Sequence, residues 1–290
     1  MSIRTLLLLL IAVPAVVIGG AVALGIKFPI PDWGREYVLS FVIAEEPPAF
    51  SLPEIEGPDD PDRPLVVIDA GHGGRDPGSV SGNVREKDIV LAIALALRDE
   101  LLANGGIRVA LTRDEDKIVP LADRPEIARQ LGADLFVSIH ADSAGELDEI
   151  SGASVYTLSS EASSEAAARF AARENNADRV NGLIIEGQSD EVSAILVELS
   201  QARTQEDASE FASLITREGR GEIEFHPTAP RRSAALAVLR APDVPSVLFE
   251  SGFVTNETDR TRLTSEEGRR QYAKVLERAI RVYFARRLET

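Results

Sequence analysis

Residues 65–88, LVVIDAGHGGRDPGSVSGNVREKD, constrain the fold more than any other stretch of this chain. Leu65-Val66-Val67-Ile68 is a short, β-branched apolar run, the composition of a strand buried on both faces. It ends at Asp69-Ala70-Gly71 and delivers His72 into a loop with five glycines between positions 71 and 82, which lets the backbone turn sharply and approach a ligand closely. Helical periodicity begins at Glu86 in EKDIVLAIALALRDELLANG and stops at Asn104-Gly105. One imidazole therefore leaves a strand end, and one carboxylate stands at a helix start fourteen residues on.

The same arrangement recurs. Asp134-Leu135-Phe136-Val137-Ser138-Ile139 is a second buried-strand pattern, terminated by His140, and Ser246-Val247-Leu248-Phe249 is another, terminated by Glu250. In open α/β sheets, ligands gather beyond the carboxyl ends of the strands. His72, His140 and Glu250 are thus delivered to one rim, with Glu86 from the adjoining helix. Two imidazoles and a carboxylate suit zinc, and three ligands with one free carboxylate make up a catalytic zinc site with an open position for water.

Around these motifs the chain alternates strand and helix. Strands are expected at 107–112 and, as an edge, at 153–158. Helices are expected from Asp123 to Gly132 and at about 161–176, 189–219, 231–239 and 265–288. This order predicts an α/β fold: a single domain with a mostly parallel, twisted sheet of about six strands flanked by helices. Ahead of it, residues 5–26 carry no charge and are long enough to cross a bilayer, or to serve as a secretory signal. The expected organisation is a signal peptide or membrane anchor at 1–26, a linker rich in proline and acid at 27–63, and a catalytic domain at 64–290. Export to the periplasm or cell envelope follows, with inner-membrane attachment through residues 5–26 as one form of it.

The net charge of −16 argues against nucleic acid or an anionic membrane surface as the main partner, leaving only the N-terminal segment to meet a membrane. The absence of cysteine excludes a thiolate nucleophile and a cysteine-ligated metal. The glycine loop lacks the GK[ST] ending of a nucleotide-binding P-loop, and no HExxH helix occurs.

DAGHGG-x-DPG, the downstream EKD, SIHAD and PSVLFESGFVTN occur in the order found in zinc-dependent N-acetylmuramoyl-L-alanine amidases. From about residue 64 to the C-terminus the chain resembles that family, in particular its cell-separation members. The resemblance implies hydrolysis of the bond between N-acetylmuramic acid and L-alanine in bacterial peptidoglycan, in cell separation or wall turnover. It implies one zinc ion held by His72, Glu86 and His140. Glu250, by position either a fourth ligand or a general base, becomes the general base that takes a proton from zinc-activated water and returns it to the leaving amine.

Weaker candidates surround this set. Asp69 and Asp142 are candidates to orient the ligating imidazoles, with Asp142 equally a candidate to cap a turn. Asp76 reads as a turn residue, Arg124 as a structural ion-pair partner, and His226, in an irregular segment, as a surface residue. Residues 173–218 look like an insertion with an apolar stripe at Val192, Ile195, Leu196 and Leu199. The insertion resembles the segment that in cell-separation amidases lays a helix over the zinc, supplies an extra glutamate ligand and is released by activators with LytM-type domains. Glu191, with Glu186 second, is the candidate for that glutamate. Two other functions remain open at this level: a zinc peptidase acting within the stem peptide, and a non-catalytic wall-binding protein.

Overall fold

The computed structural model describes residues 51–290 apart from Glu146, residues 181–193 and residues 289–290. The N-terminal segment at 5–26 and most of the expected linker lie outside the described residues, as do Glu186, Glu191 and Val192. The side chains of Ile195, Leu196 and Leu199 lie outside them too.

Six strands form one sheet in the order β4-β1-β5-β8-β6-β7. They are β1 (Leu65–Ala70), β4 (Arg108–Leu111), β5 (Leu135–Asp142), β6 (Ser154–Leu158), β7 (Arg231–Ala234) and β8 (Ser246–Phe253). β4, β1, β5 and β8 run parallel, so their carboxyl ends open onto one rim. A small hairpin, β2 (Val80–Ser81) with β3 (Val84–Arg85), closes the glycine loop. Before β1, Glu56 bridges Val109 through two backbone hydrogen bonds and so covers the free edge of β4.

Each face of the sheet carries helices. On one face α1 (Glu86–Asn104), α5 (Ala194–Glu218) and α7 (Glu266–Arg287) pack Ile93, Leu97, Phe211, Tyr272 and Ile280 against Val66, Ile68, Val137 and Phe249. On the other, α2 (Asp123–Gln130) and α3 (Glu165–Glu174), which a single turn, α4 (Ala177–Val180), follows, set Ile127 and Phe170 over Leu65, Val67, Phe136 and Leu248. Between the two helical layers the parallel strands are buried on both sides. Their near-continuous Val, Ile and Leu content is the consequence.

Two expectations need correction. β6 is not an edge: it lies between β8, to which it is antiparallel, and β7, to which it is parallel. The helix expected at 231–239 is instead β7 followed by a 3-10 turn at Ala237–Leu239. β6 offered an unpaired edge to RRSA, and backbone pairing there overrides the helix preference of its alanines. The closing helix stands where it was expected, and a short helix, α6 (Glu257–Thr264), precedes it. Asn256 caps its first turn by accepting from Asp259 N, and Ser265 then caps α7 by accepting from Gly268 N.

Candidate metal centre

Strand register aligns the site before any side chain is considered. His140 of β5 stands opposite Glu250 of β8, which stands opposite Ser154 of β6. Because side chains alternate along a strand, His140, Glu250 and the Asp69–Ser138 pair on β1 and β5 project to the same face. His72 lies just past the end of β1 and adopts φ +59°, a left-handed conformation uncommon for a residue with a side chain. Gly71 sits beside it because a Cβ there would lie 2.4 Å from the His140 ring.

Glu86 opens α1 and reaches over the ends of β1 and β5. Its Oε1 accepts from Ala141 N at 2.9 Å, and its Oε2 from Ser79 N at 2.8 Å, which pins the carboxylate between the hairpin and the strand. The same Oε1 lies 3.1 Å from both His72 Nε2 and His140 Nδ1. Glu174, the last residue of α3, brings its Oε2 to 3.4 Å from both of those nitrogens. His72, His140 and Glu174 are all buried, and each offers a ligand atom within 4.8 Å of the others.

The chemistry of this donor set fits a cation. His72 Nε2 is buried and makes no hydrogen bond, although two carboxylate oxygens stand within 3.4 Å of it. Five acids (Asp76, Glu86, Asp142, Glu174 and Glu250) gather around two imidazoles, and Arg173 pairs with two of them, Asp142 and Glu174. Burial alone would lower the His72 pKa. Glu86, Asp76 and Glu174 outweigh it and hold the imidazole well above its usual range, so the surroundings favour positive charge at this point. The counterpart appears at Glu86, where burial raises the pKa but the two histidines draw it well below the ordinary value. A divalent ion bound between two imidazoles and a carboxylate meets the same demand.

Glu250 is different. It is buried, and neither oxygen has a hydrogen-bond partner. Burial raises its pKa well above the ordinary value, and Asp142, Glu86 and Glu174 add to the shift. Asp142 is pushed up to about 6, burial leading and Arg173 opposing.

The supporting residues redistribute the roles expected from sequence. Asp76, read as a turn residue, does accept from Gly78 N at 3.0 Å, but its Oδ2 also lies 2.7 Å from His72 Nδ1 and so orients the ring. Asp69, expected to orient an imidazole, instead takes hydrogen bonds from Thr112, Ser138 and Arg124 at 2.7 Å each. Burial would raise its pKa, but Arg124 foremost holds it below the ordinary value. Asp142 likewise serves Arg173, at 2.6 Å, rather than a ring nitrogen. His226 accepts at Nδ1 from Ala229 N at 3.2 Å, which closes a local turn, and it is not among the clustered metal-ligating groups of the described residues.

Glu174 is the residue that sequence reasoning missed. Its signal was present: Ala167, Phe170 and Ala171 form the buried stripe of α3, and the next position on that stripe is an acid. Its neighbours fix it. Arg173 binds Asp142, Asn175 exchanges hydrogen bonds with Ala235 O and Ala237 N at 2.8 Å, and Asp178 accepts from Leu121 N at 2.9 Å. Beside it opens a cavity of about 620 Å³ lined by His72, Gly78, Val80, Ser143, Arg173 and Glu174 among others.

A family model described as N-acetylmuramoyl-L-alanine amidase matches residues 66–282. The chain is 38% identical over 223 residues to the N-acetylmuramoyl-L-alanine amidase AmiC of Neisseria meningitidis serogroup B, covering 76% of this chain and 53% of that protein. It is 38% identical over 222 residues to AmiA of Escherichia coli K12, covering 76% of each. Among solved structures, the CwlD amidase of Clostridioides difficile in complex with the GerS lipoprotein superposes with a TM-score of 0.57 at 25% identity, over 77% of this chain and 98% of that one. The chain spans about half the length of the AmiC relatives and about three quarters of AmiA. The matched span includes His72, Glu86, His140, Glu174 and Glu250, and this chain belongs to the N-acetylmuramoyl-L-alanine amidase family.

Proposed function

We propose that this chain hydrolyses the amide bond between N-acetylmuramic acid and L-alanine in peptidoglycan, using one zinc ion held by His72, Glu86 and His140. The observation that carries the reading is the convergence of His72 Nε2 and His140 Nδ1 on one oxygen of Glu86, with Glu250 unpaired alongside. When bound, zinc supplies a polarised carbonyl and a water acidified to a pKa near 7. Glu250 takes the proton from the attacking water and delivers it to the departing L-alanine nitrogen. Its raised pKa suits it to carry that proton near neutrality. Asp76 keeps the His72 ring turned with Nε2 toward the site. The cavity beside Gly78, Val80 and Ser143 is open enough to receive the stem peptide.

In this reading Glu174 makes the enzyme latent. Its Oε2 occupies the position facing both ligating nitrogens, where the substrate carbonyl and water need to enter. It lies within the insertion expected at 173–218 to supply such a group. Release requires the end of α3 to give up Arg173–Asp142 and the anchors at Asn175 and Asp178. A protein activator supplies that work, one with a LytM-type domain being the expected kind; that an amidase domain can take a protein partner is supported by the CwlD amidase, solved in complex with the GerS lipoprotein. The substrate lies in the cell envelope, so the uncharged segment at 5–26 serves export, and cell separation or wall turnover is the cellular role.

The test is digestion of purified peptidoglycan with the full chain, with products identified by mass. Free peptides with N-terminal L-alanine and a bare glycan are expected, and a chelator should abolish them. Shortened stems still attached to the glycan would identify a peptidase instead. Intact sacculi retaining bound, zinc-loaded protein, even with the activator present, would identify a binding protein.

A further inference from the structure

Behind His72 the structure buries two arginines against a row of backbone carbonyls. Arg124 donates from Nη1 to Asp69 Oδ1 at 2.7 Å and to Ala70 O at 2.8 Å, and from Nη2 to His72 O at 2.7 Å. Arg113 donates from Nε to Ala70 O at 2.8 Å, and from Nη2 to Gly71 O at 2.7 Å and Lys87 O at 2.9 Å. Three consecutive carbonyls at the end of β1 are therefore held by two guanidinium groups. One of the two also grips the residue that follows Glu86.

This arrangement is expensive as a purely structural device. Arg113 is fully buried and shares the Ala70 carbonyl with a second cation, Arg124, whose carboxylate partner, Asp69, also serves Thr112 and Ser138. Burying like charges together costs free energy unless the geometry they impose is needed. What they impose is specific. The φ of +59° at His72 turns its carbonyl away from the regular strand direction, and Arg124 Nη2 holds it there. Arg113 ties the strand-end loop to the start of α1, the two segments that carry His72 and Glu86.

We propose that Arg113 and Arg124 form a guanidinium clamp that positions His72 and Glu86 for metal binding. Arg124 acts through the His72 carbonyl, and Arg113 through the carbonyls of Gly71 and Lys87, the residues that adjoin His72 and Glu86. The fork of arginine matters because each guanidinium uses two nitrogens at once, Nε and Nη2 in Arg113 and Nη1 and Nη2 in Arg124, and a lysine has one nitrogen to replace the pair. The proposal rests on the zinc reading above.

The test is zinc affinity, measured on the full chain by competition with a chromophoric chelator, for the wild type, Arg124→Lys and Arg113→Lys. Melting of each metal-free protein is followed alongside. Both variants are expected to bind zinc about 10- to 100-fold more weakly, the usual effect of losing a group that orients a ligand. Metal-free melting should fall by much less than the loss of affinity implies. Arg113→Lys keeps the Asp69–Arg124 ion pair intact, so it reports even where Arg124→Lys fails to fold. Unchanged affinity with lowered metal-free melting would make both residues structural and overturn the clamp. A wild-type chain that binds no zinc would instead remove the metal reading, and the clamp with it.

Discussion

Glu250→Gln is expected to lower peptidoglycan hydrolysis by about 10²- to 10⁴-fold, the range for losing a general acid–base group, while zinc content stays at one ion per chain. The substitution preserves shape and removes only the ability to accept a proton. Both oxygens of Glu250 are buried without a hydrogen-bond partner, so the carboxylate is not committed to holding the fold. Burial first, then Asp142, Glu86 and Glu174, raise its pKa, which makes it a stronger base than a solvated glutamate. A base with a raised pKa loses function as pH falls through that value. The acid limb of kcat/KM should accordingly lie above the ordinary carboxylate range, and the residual activity of the variant should lack it. Dye release from labelled sacculi across a pH series, with zinc measured on the same samples, reads both effects. Wild-type turnover in a folded, zinc-loaded variant would remove Glu250 from the mechanism.

The second large effect has the opposite sign. Glu174→Ala is expected to raise hydrolysis in the absence of any activator by roughly 10- to 100-fold. Glu174 faces both ligating imidazoles at 3.4 Å, and a charged contact of this kind contributes about 1.5–3 kcal/mol, which at 1.4 kcal/mol per tenfold gives that range. The two predictions are linked. Glu250 is buried, and Glu174 is one of the charges that raise its pKa, so Glu174→Ala should also move the acid limb set by Glu250 downward. Basal rates of the folded variant and the wild type, compared at equal zinc loading, decide the matter. A variant no faster than the wild type would show that Glu174 does not enforce latency and is an ordinary ligand or a support of α3.

Much of this site is written locally in the chain. His72, His140 and Glu250 each follow an apolar run that ends at the same rim, and Glu86 starts a periodic helix, so short-range pattern sufficed to bring them together. The elements read less well are those whose state depends on distant partners. RRSA at 231–234 becomes a strand because β6 leaves it an edge to pair with, which no local preference records. Asp69 and Asp76 exchange their expected importance for a similar reason. Asp76 reaches His72 four residues back through a turn, whereas Asp69 is claimed by Arg124, fifty-five residues away. Glu174 was hidden by its setting: an acid at the end of an alanine-rich helix reads as a solvated terminus until the fold turns that stripe onto the metal centre.

The measurement that bears most directly on the central claim is anomalous diffraction at the zinc edge from crystals of the zinc-loaded protein. One peak is expected, about 2.0–2.2 Å from His72 Nε2, His140 Nδ1 and an oxygen of Glu86. A zinc ion bound elsewhere, or held by one of the two imidazoles without the other, would contradict the account.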